Sequence, residues 1–380
     1  MQFQVKRINN DDIKNELLNI GFDDSYIDYA TKKHQFLNLK ITNLPPHVAT
    51  IIKETALSKG CDAGVHKDVL LHKINRSDII LSGTIKQLTE ISKSLNNQPF
   101  GIKEISKKII NEIDSIKKPY NPKIMGIINL TEDSFSKTNK FLNDKEAIEF
   151  AIKLLNDGAD IIDIGAEATN PNATPADTET EIKRLTPIVK ELKKENIKIS
   201  IDTRNSKTAS SMIDLGIDII NDVSFLNYDK KMLDVIENSD VNYVLTHSKG
   251  TPDLMDTLCN YQNLRDEIFD EIIKKASILT EKIDPKKLII DIGFGFAKNN
   301  EQNFELLKNI EEFSSCGYKT LAGTSRKRFL KSLIDNDNTE LLDELTMLSS
   351  FYLFQNKVDI IRVHNVEKTK LALKFYNSIY

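Results

Sequence analysis

From residue 129 onwards, polar residues stand at the ends of short apolar runs. They are Asn129, with Thr131 and Asp133 close behind it, then Glu167 and Thr169, Asp202, Asn221 and Asp222, His247, Asp291, the cluster Ser325 to Arg328, and Arg362 with His364. Carboxylates, an amide, a lysine and an arginine aimed into one mouth can bind an aromatic heterocycle with N–H donors along one edge and an anion along another. A carboxylate accepts paired N–H bonds from an aminopyrimidinone edge, and an arginine stacks on a ring face or holds phosphate oxygens. Singly, the residues also have structural uses. Asp222 could cap the following helix, Glu167 could pair with a barrel cation, and His247 could be a satisfied core histidine.

The elements that must position these groups follow from a repeated pattern. Eight apolar runs, IMGIIN (124–129), DIIDIG (160–165), KISIDT (198–203), DIINDV (218–223), NYVLTH (242–247), LIIDIG (288–293), KTLAGT (319–324) and DIIRVH (359–364), read as strands buried on both faces. Between them lie amphipathic stretches such as DKEAIEFAIKLLNDG, ETEIKRLTPIVKELKKEN and NEQNFELLKNIEEF, with apolar residues at helical spacing. Eight strands alternating with helices over roughly 250 residues predict a (β/α)8 TIM barrel, whose active site lies at the C-terminal ends of the strands. A doubly wound open sheet is the alternative architecture.

Residues 1–118 have a different rhythm. VLLHKI, and DIILSG followed by TIKQLTEISKSL, suggest strand then helix and hence a small N-terminal α/β appendage. KKPYNPK (117–123), with two prolines, marks a boundary that leaves 119–380 for the barrel. The length of 380 residues suits this two-domain division.

Composition limits the partners. A net charge of −4 argues against general nucleic-acid binding while allowing a local cationic pocket. MQFQVKRINNDD lacks the apolar core of a signal peptide, and no run approaches a membrane span, so a cytoplasmic location is expected. Cys61, Cys259 and Cys316 lack metal-ligand spacing, and an odd number fits a reducing compartment. The histidines form no zinc pattern, so any metal is expected to arrive with the substrate.

MGIINLTEDSFS, GADIIDIGAEAT, ISIDTR, IINDVS, LIIDIGFGFAKNNEQNFELL, GTSRKRFL and IIRVHNV, in this order, resemble the dihydropteroate synthase family from about Ile124 to the C-terminus. The resemblance implies a TIM barrel that joins 6-hydroxymethyl-7,8-dihydropterin diphosphate to para-aminobenzoate, releasing diphosphate and forming 7,8-dihydropteroate. It also implies Mg2+ bound with the diphosphate, sensitivity to sulfonamides and a homodimer. By the same resemblance, Asp202, Asn221, Asp291 and Lys327 hydrogen-bond the pterin, and Arg362 lies against its ring. Asn129, Arg362 and His364 hold the diphosphate, with Asn129 and Asp133 on the metal. Thr169 sits near the reacting methylene, Ser325 receives the aminobenzoate carboxylate and Phe296 packs near its ring. The implied mechanism is dissociative, with diphosphate leaving before the amine attacks, and assigns catalysis to Asn129, Asp202, Lys327, Arg362 and His364.

The chain departs from the family pattern mainly in two loops. Glu132 stands where proline is usual, Lys137, Thr138 and Asn139 replace Asp-Gly-Gly, and Asn170 replaces an arginine. Thr246 replaces a methionine, while Ile292 and Ala297 replace a proline and a glycine around GFGF. The alternatives to an active synthase are a catalytically impaired pterin-binding paralogue and a barrel of the methyltetrahydrofolate-corrinoid methyltransferase type. Within the basic cluster, Arg326 is expected to brace the barrel rim through an ion pair and Arg328 to lie on the surface.

Overall fold

A computed structural model describes residues 3–116, 118–130, 143–166, 177–250, 254–335 and 337–380. The chain divides into two compact units, Met1–Pro119 and Tyr120–Tyr380.

The first unit is built on a three-stranded antiparallel sheet of β1 (Phe36–Leu44), β2 (Asp62–Val65) and β3 (Ser77–Thr84), with β3 in the middle. Strict alternation along SDIILSGT buries Ile79 and Leu81 and leaves Asp78 and Ile80 on the other face. The buried face meets the helices Pro46–Ser58, Ile85–Leu95 and Ile102–Ser115 in one apolar core. The strand-to-helix reading holds for DIILSG and the helix after it, where Thr84 and Gln87 form a capping box. VLLHKI instead forms turns before β3, because an apolar run without a strand to pair with has no ladder to join.

The second unit is a closed barrel of parallel strands: β4 (Lys123–Asn129), β5 (Ile161–Gly165), β6 (Ile199–Asp202), β7 (Ile219–Asp222), β8 (Asn242–Thr246), β9 (Leu288–Asp291), β10 (Lys319–Ala322) and β11 (Ile360–Val363). β11 pairs with β4 to close it. Side chains alternate between the two faces of each strand. Outward residues such as Ile124, Ile162, Ile201, Tyr243, Ile290 and Ile361 pack under the helices. Inward, Met125, Ile161, Ile219, Val244, Ile289, Leu321 and Ile360 form a separate apolar floor. Asn143, Asp177, Asn299, Asn338 and Asn365 each cap the start of a barrel helix with a side-chain oxygen.

Candidate active site

The next inward positions above the apolar floor carry the polar groups. Asn129, Asp202, Asn221, Asp291 and Arg362 lie within the strands, at their C-terminal ends, rather than in the loops beyond them. Strand pairing sets Asn129 beside Gly165, Gly165 beside Asp202, and Asp202 beside Asn221. Across the barrel, Thr246 pairs with Asp291.

Arg362 organises this layer. Its Nε donates to Asp163 Oδ2 at 2.6 Å and its Nη2 to Asp202 Oδ2 at 2.7 Å. Burial opposes its charge, but the two carboxylates outweigh that cost and push its pKa above the ordinary arginine value. Asn221 Nδ2 donates to the same Asp163 oxygen at 3.3 Å. Asp163 was not among the sequence candidates. The signal for it was its position two residues before Gly165, on the same strand face, but it sits inside an apolar run.

Among the described residues, Asp163 Oδ1, Ser200 Oγ, Asn221 Oδ1 and Thr246 Oγ1 are buried oxygens with no hydrogen-bond partner. Leaving a buried polar atom unpaired costs about 1–3 kcal/mol. A cluster of such acceptors is suited to a ligand edge rich in N–H groups.

A basic and aromatic wall faces the acids. Lys327 Nζ lies 4.3 Å from the centre of the Phe296 ring. Burial, reinforced by the Arg362 charge, brings the pKa of Lys327 down to about 8. Burial pushes the Asp291 carboxyl upward, against the opposing pull of its hydrogen bond from Gly293 N, which Oδ1 accepts at 2.8 Å, and of the Lys327 and Arg362 charges. The turn after Asp291 depends on glycine. Gly293 has φ +67°, and a Cβ there would stand 2.0 Å from the His247 carbonyl oxygen.

His247 proves to be a core residue. Lys298 Nζ donates to His247 Nδ1, to Gly293 O and to Phe296 O at 3.0, 3.0 and 2.9 Å. Nδ1 is therefore an acceptor, and His247 Nε2–H donates to Glu271 Oε2 at 3.0 Å. Burial and the neighbouring Lys298 bring the His247 pKa to about 3; burial brings that of Lys298 to about 7. Lys298 had no recognisable sequence signal, since its function is to clamp the turn that carries Phe296. Asp222 is likewise structural, accepting from Tyr243 Oη at 2.6 Å and Ser224 N at 2.7 Å.

Ser325 and His364 meet at the rim. His364 N–H donates to Ser325 Oγ at 3.1 Å, and the serine hydroxyl is 3.0 Å from His364 Nδ1. The serine oxygen already accepts, so its hydrogen points to Nδ1 and leaves the imidazole proton on Nε2. Burial, with Arg326 and Arg362 nearby, brings the His364 pKa to about 3, so the ring is a neutral donor at neutral pH. Arg326 makes the expected brace, an ion pair with Asp343, and Arg328 is exposed.

Asp133, Thr169, Thr131, Glu167, Glu132, Lys137, Thr138, Asn139 and Asn170 lie outside the described residues. Among the described residues, no three His, Cys, Asp or Glu side chains gather as a metal site. Asn129 is an oxygen donor with space beside it, since a Cβ on Gly165 would lie 3.7 Å from its Oδ1. That donor set fits Mg2+ carried in by phosphate oxygens, which needs few protein ligands. The cysteines Cys61, Cys259 and Cys316 are free thiols.

This architecture is shared with known enzymes. The family model described as "pterin binding enzyme" matches residues 125–364. A bifunctional dihydropteroate synthase/dihydropteroate reductase from Helicobacter pylori is 33% identical over 381 residues, covering 99% of this chain and 98% of its own. The Bacillus subtilis dihydropteroate synthase is 34% identical over 258 residues, covering 67% of this chain and 88% of its own. The structure of Xanthomonas albilineans dihydropteroate synthase with 4-aminobenzoic acid superposes with a TM-score of 0.63 at 30% identity, covering 68% of this chain and 93% of that one. With an eight-stranded barrel whose mouth is lined by these polar residues, the chain belongs to the pterin-binding enzymes, in the dihydropteroate synthase family.

Proposed function

We propose that this chain condenses 6-hydroxymethyl-7,8-dihydropterin diphosphate with para-aminobenzoate, giving 7,8-dihydropteroate and diphosphate, a transferase step of folate biosynthesis. The observation that carries this reading is the buried polar layer around Arg362, in which Asp163 Oδ1 and Asn221 Oδ1 have no partner and can offer a pterin edge hydrogen bonds. Asp202, Asn221 and Asp291 receive the pterin N–H groups, Lys327 donates to its oxygen, and the Arg362 guanidinium lies against the ring. Asp163 keeps Arg362 in place while Asp202 turns to the substrate.

The C–O bond from the pterin methylene to diphosphate breaks first, and diphosphate keeps the electron pair. The methylene cation is delocalised over the pterin and supported by the Asp202 carboxylate. Arg362 and the Nε2–H of His364 hold the departing anion without giving up a proton. The arylamine nitrogen then forms the C–N bond and loses its extra proton to solvent. When bound with the diphosphate, Mg2+ would neutralise part of its charge, and Asn129 would hold it, together with Asp133 by the family resemblance. By the same proposal Thr169 serves the reacting methylene. Phe296 packs against the aminobenzoate ring, and Ser325 marks the end of the site that takes its carboxylate.

The test is to incubate the purified protein with the pterin diphosphate, Mg2+ and para-aminobenzoate, and to measure dihydropteroate and diphosphate. Equal amounts of the two, with diphosphate release dependent on the amine, support the synthase. Pterin binding with no condensation would instead establish the impaired paralogue. Sulfonamides should compete with para-aminobenzoate. The reading also places the enzyme in the cytoplasm as a homodimer. Among the described residues, no helix is long and apolar enough to cross a membrane.

A second activity is favoured by one observation, the match to the Helicobacter pylori bifunctional protein along nearly the whole of both chains. On that basis the chain also reduces dihydropteroate to the tetrahydro form, taking two electrons from a reduced flavin or nicotinamide. Supplying dihydropteroate with either donor and following donor oxidation tests this separately from condensation.

A further inference from the structure

We propose that Asp343, on the helix Thr339–Gln355, is a positioning residue that ties the segment after β10 to the segment after β11 and so sets the Ser325–His364 couple. The proposal rests on the synthase reading for what that couple serves, but not for its geometry.

The helix presents Asp343, Thr346 and Ser349 at successive i, i+3 positions, which share one face. All three are buried, although polar side chains on a helix usually face water. Each grips the segment Thr324–Arg326. Thr324 Oγ1 and Ser349 Oγ are 2.8 Å apart, Arg326 N donates to Thr346 Oγ1 at 3.3 Å, and Arg326 Nε and Nη2 donate to the two Asp343 oxygens at 2.8 and 3.0 Å. Arg326 has φ +56°, a left-handed conformation that residues with a Cβ rarely adopt. The paired contacts from the helix oppose that strain.

Asp343 Oδ2 also accepts from Asn365 Nδ2 at 3.0 Å. Asn365 directly follows His364, just as Arg326 directly follows Ser325. One carboxylate therefore holds the neighbours of both members of the couple. Its two anchors come from segments that pair only at the strand level, through Leu321–Ile360 and Ala322–Ile361. Above those pairs, the side-chain ties of Ser325 to His364 and of Asp343 to its anchors join the rim. The hydrogen bond from Ser325 to Nδ1 then fixes the His364 tautomer, leaving Nε2–H as the donor.

The test uses the full chain, labelled with 15N at histidine, with the His364 signal identified by its loss in His364→Gln. Asp343→Asn removes the paired acceptor for Arg326. Asn365→Ser keeps a helix cap and drops only the amide tie, so it serves where the first variant does not fold. In the wild type His364 should be the Nε2–H tautomer at pH 7, and either variant should show mixed tautomers. Kinetically, KM for para-aminobenzoate should rise about tenfold as Ser325 shifts, and kcat should fall about tenfold as His364 loses its fixed Nε2–H donor to the diphosphate. An unchanged His364 tautomer in the folded variants, or unchanged kcat with mixed tautomers, overturns the proposal. A wild type that forms no dihydropteroate would overturn the synthase reading, and the tautomer would still decide the brace.

Discussion

Arg362 shares its guanidinium between two carboxylates of unequal burial: the Asp163 side chain is 0% exposed and that of Asp202 12%. The deeper one holds the arginine and the shallower one is nearer solvent. Replacing Asp163 with alanine leaves a buried cation short of a partner, which should cost about 3–5 kcal/mol of stability by urea unfolding. Asp163→Asn retains the volume and one acceptor, and its activity should still fall about a hundredfold as Arg362 loses its anchor. Lys327 and Arg328 offer a sharper contrast. Lys327→Ala should weaken pterin binding by at least about tenfold, whereas Arg328→Ala should change it by less than about twofold, both by calorimetry. Most residues of the polar layer were legible because a carboxylate or amide ending an apolar run is conspicuous. Asp163 was not, since within DIIDIG it is flanked by three isoleucines and only the barrel's inward face gives it a role. The tie between Ser325 and His364 was equally hidden, because the two are 39 residues apart in sequence.

At the scale of elements, the turn from Asp291 to Lys298 is held from three directions. Asp291 accepts from its backbone, Asn303 Oδ1 accepts from Gly295 N at 2.7 Å, and Lys298 gathers its carbonyls. Gly293→Ala should destabilise the protein by more than about 3 kcal/mol, because the new methyl meets backbone that cannot rotate away. Gly317→Ala is the control. It has φ +88° but nothing within 4 Å of the added Cβ, so its cost should be about 1–2 kcal/mol, from backbone strain alone. The strands were legible because parallel strands covered on both sides must be apolar on both faces, and their runs are short and separate. The buried polar stripe Asp343, Thr346 and Ser349 was not, since polar residues at helical spacing look the same whether they meet water or another segment. Lys298 escaped notice for a similar reason: a lysine next to asparagines suggests a surface loop.

For the whole molecule, the core His247 and the half-buried rim His364 link stability to acidity. His247 and His364 have pKa values near 3 when folded, against an ordinary value of 6.5. The unfolded chain therefore binds more protons between those limits, and stability is held above pH 6.5 and lost as pH falls towards 3. Each can contribute up to about 1.4 kcal/mol per pH unit in that window, so the urea midpoint should drop clearly from pH 7 to pH 5. His247→Gln should flatten the slope, and an equally steep fall in that variant would assign the acid sensitivity elsewhere. The two compact units permit a separate test of scale. If residues 1–118 take no part in condensation, a shortened chain that stays soluble should keep its condensation rate, and a simultaneous loss of reductase activity would assign that activity to the first unit.

The apolar floor of the barrel has a further consequence, for traffic. Met125, Ile161, Ile219, Val244, Ile289, Leu321 and Ile360 fill the lumen beneath the polar layer, so molecules enter and leave through the same mouth. Whatever occupies the deep acids must arrive before its partner and cannot depart past it. Condensation should therefore obey a compulsory order, pterin diphosphate first, and the joined product should block re-entry of the pterin competitively.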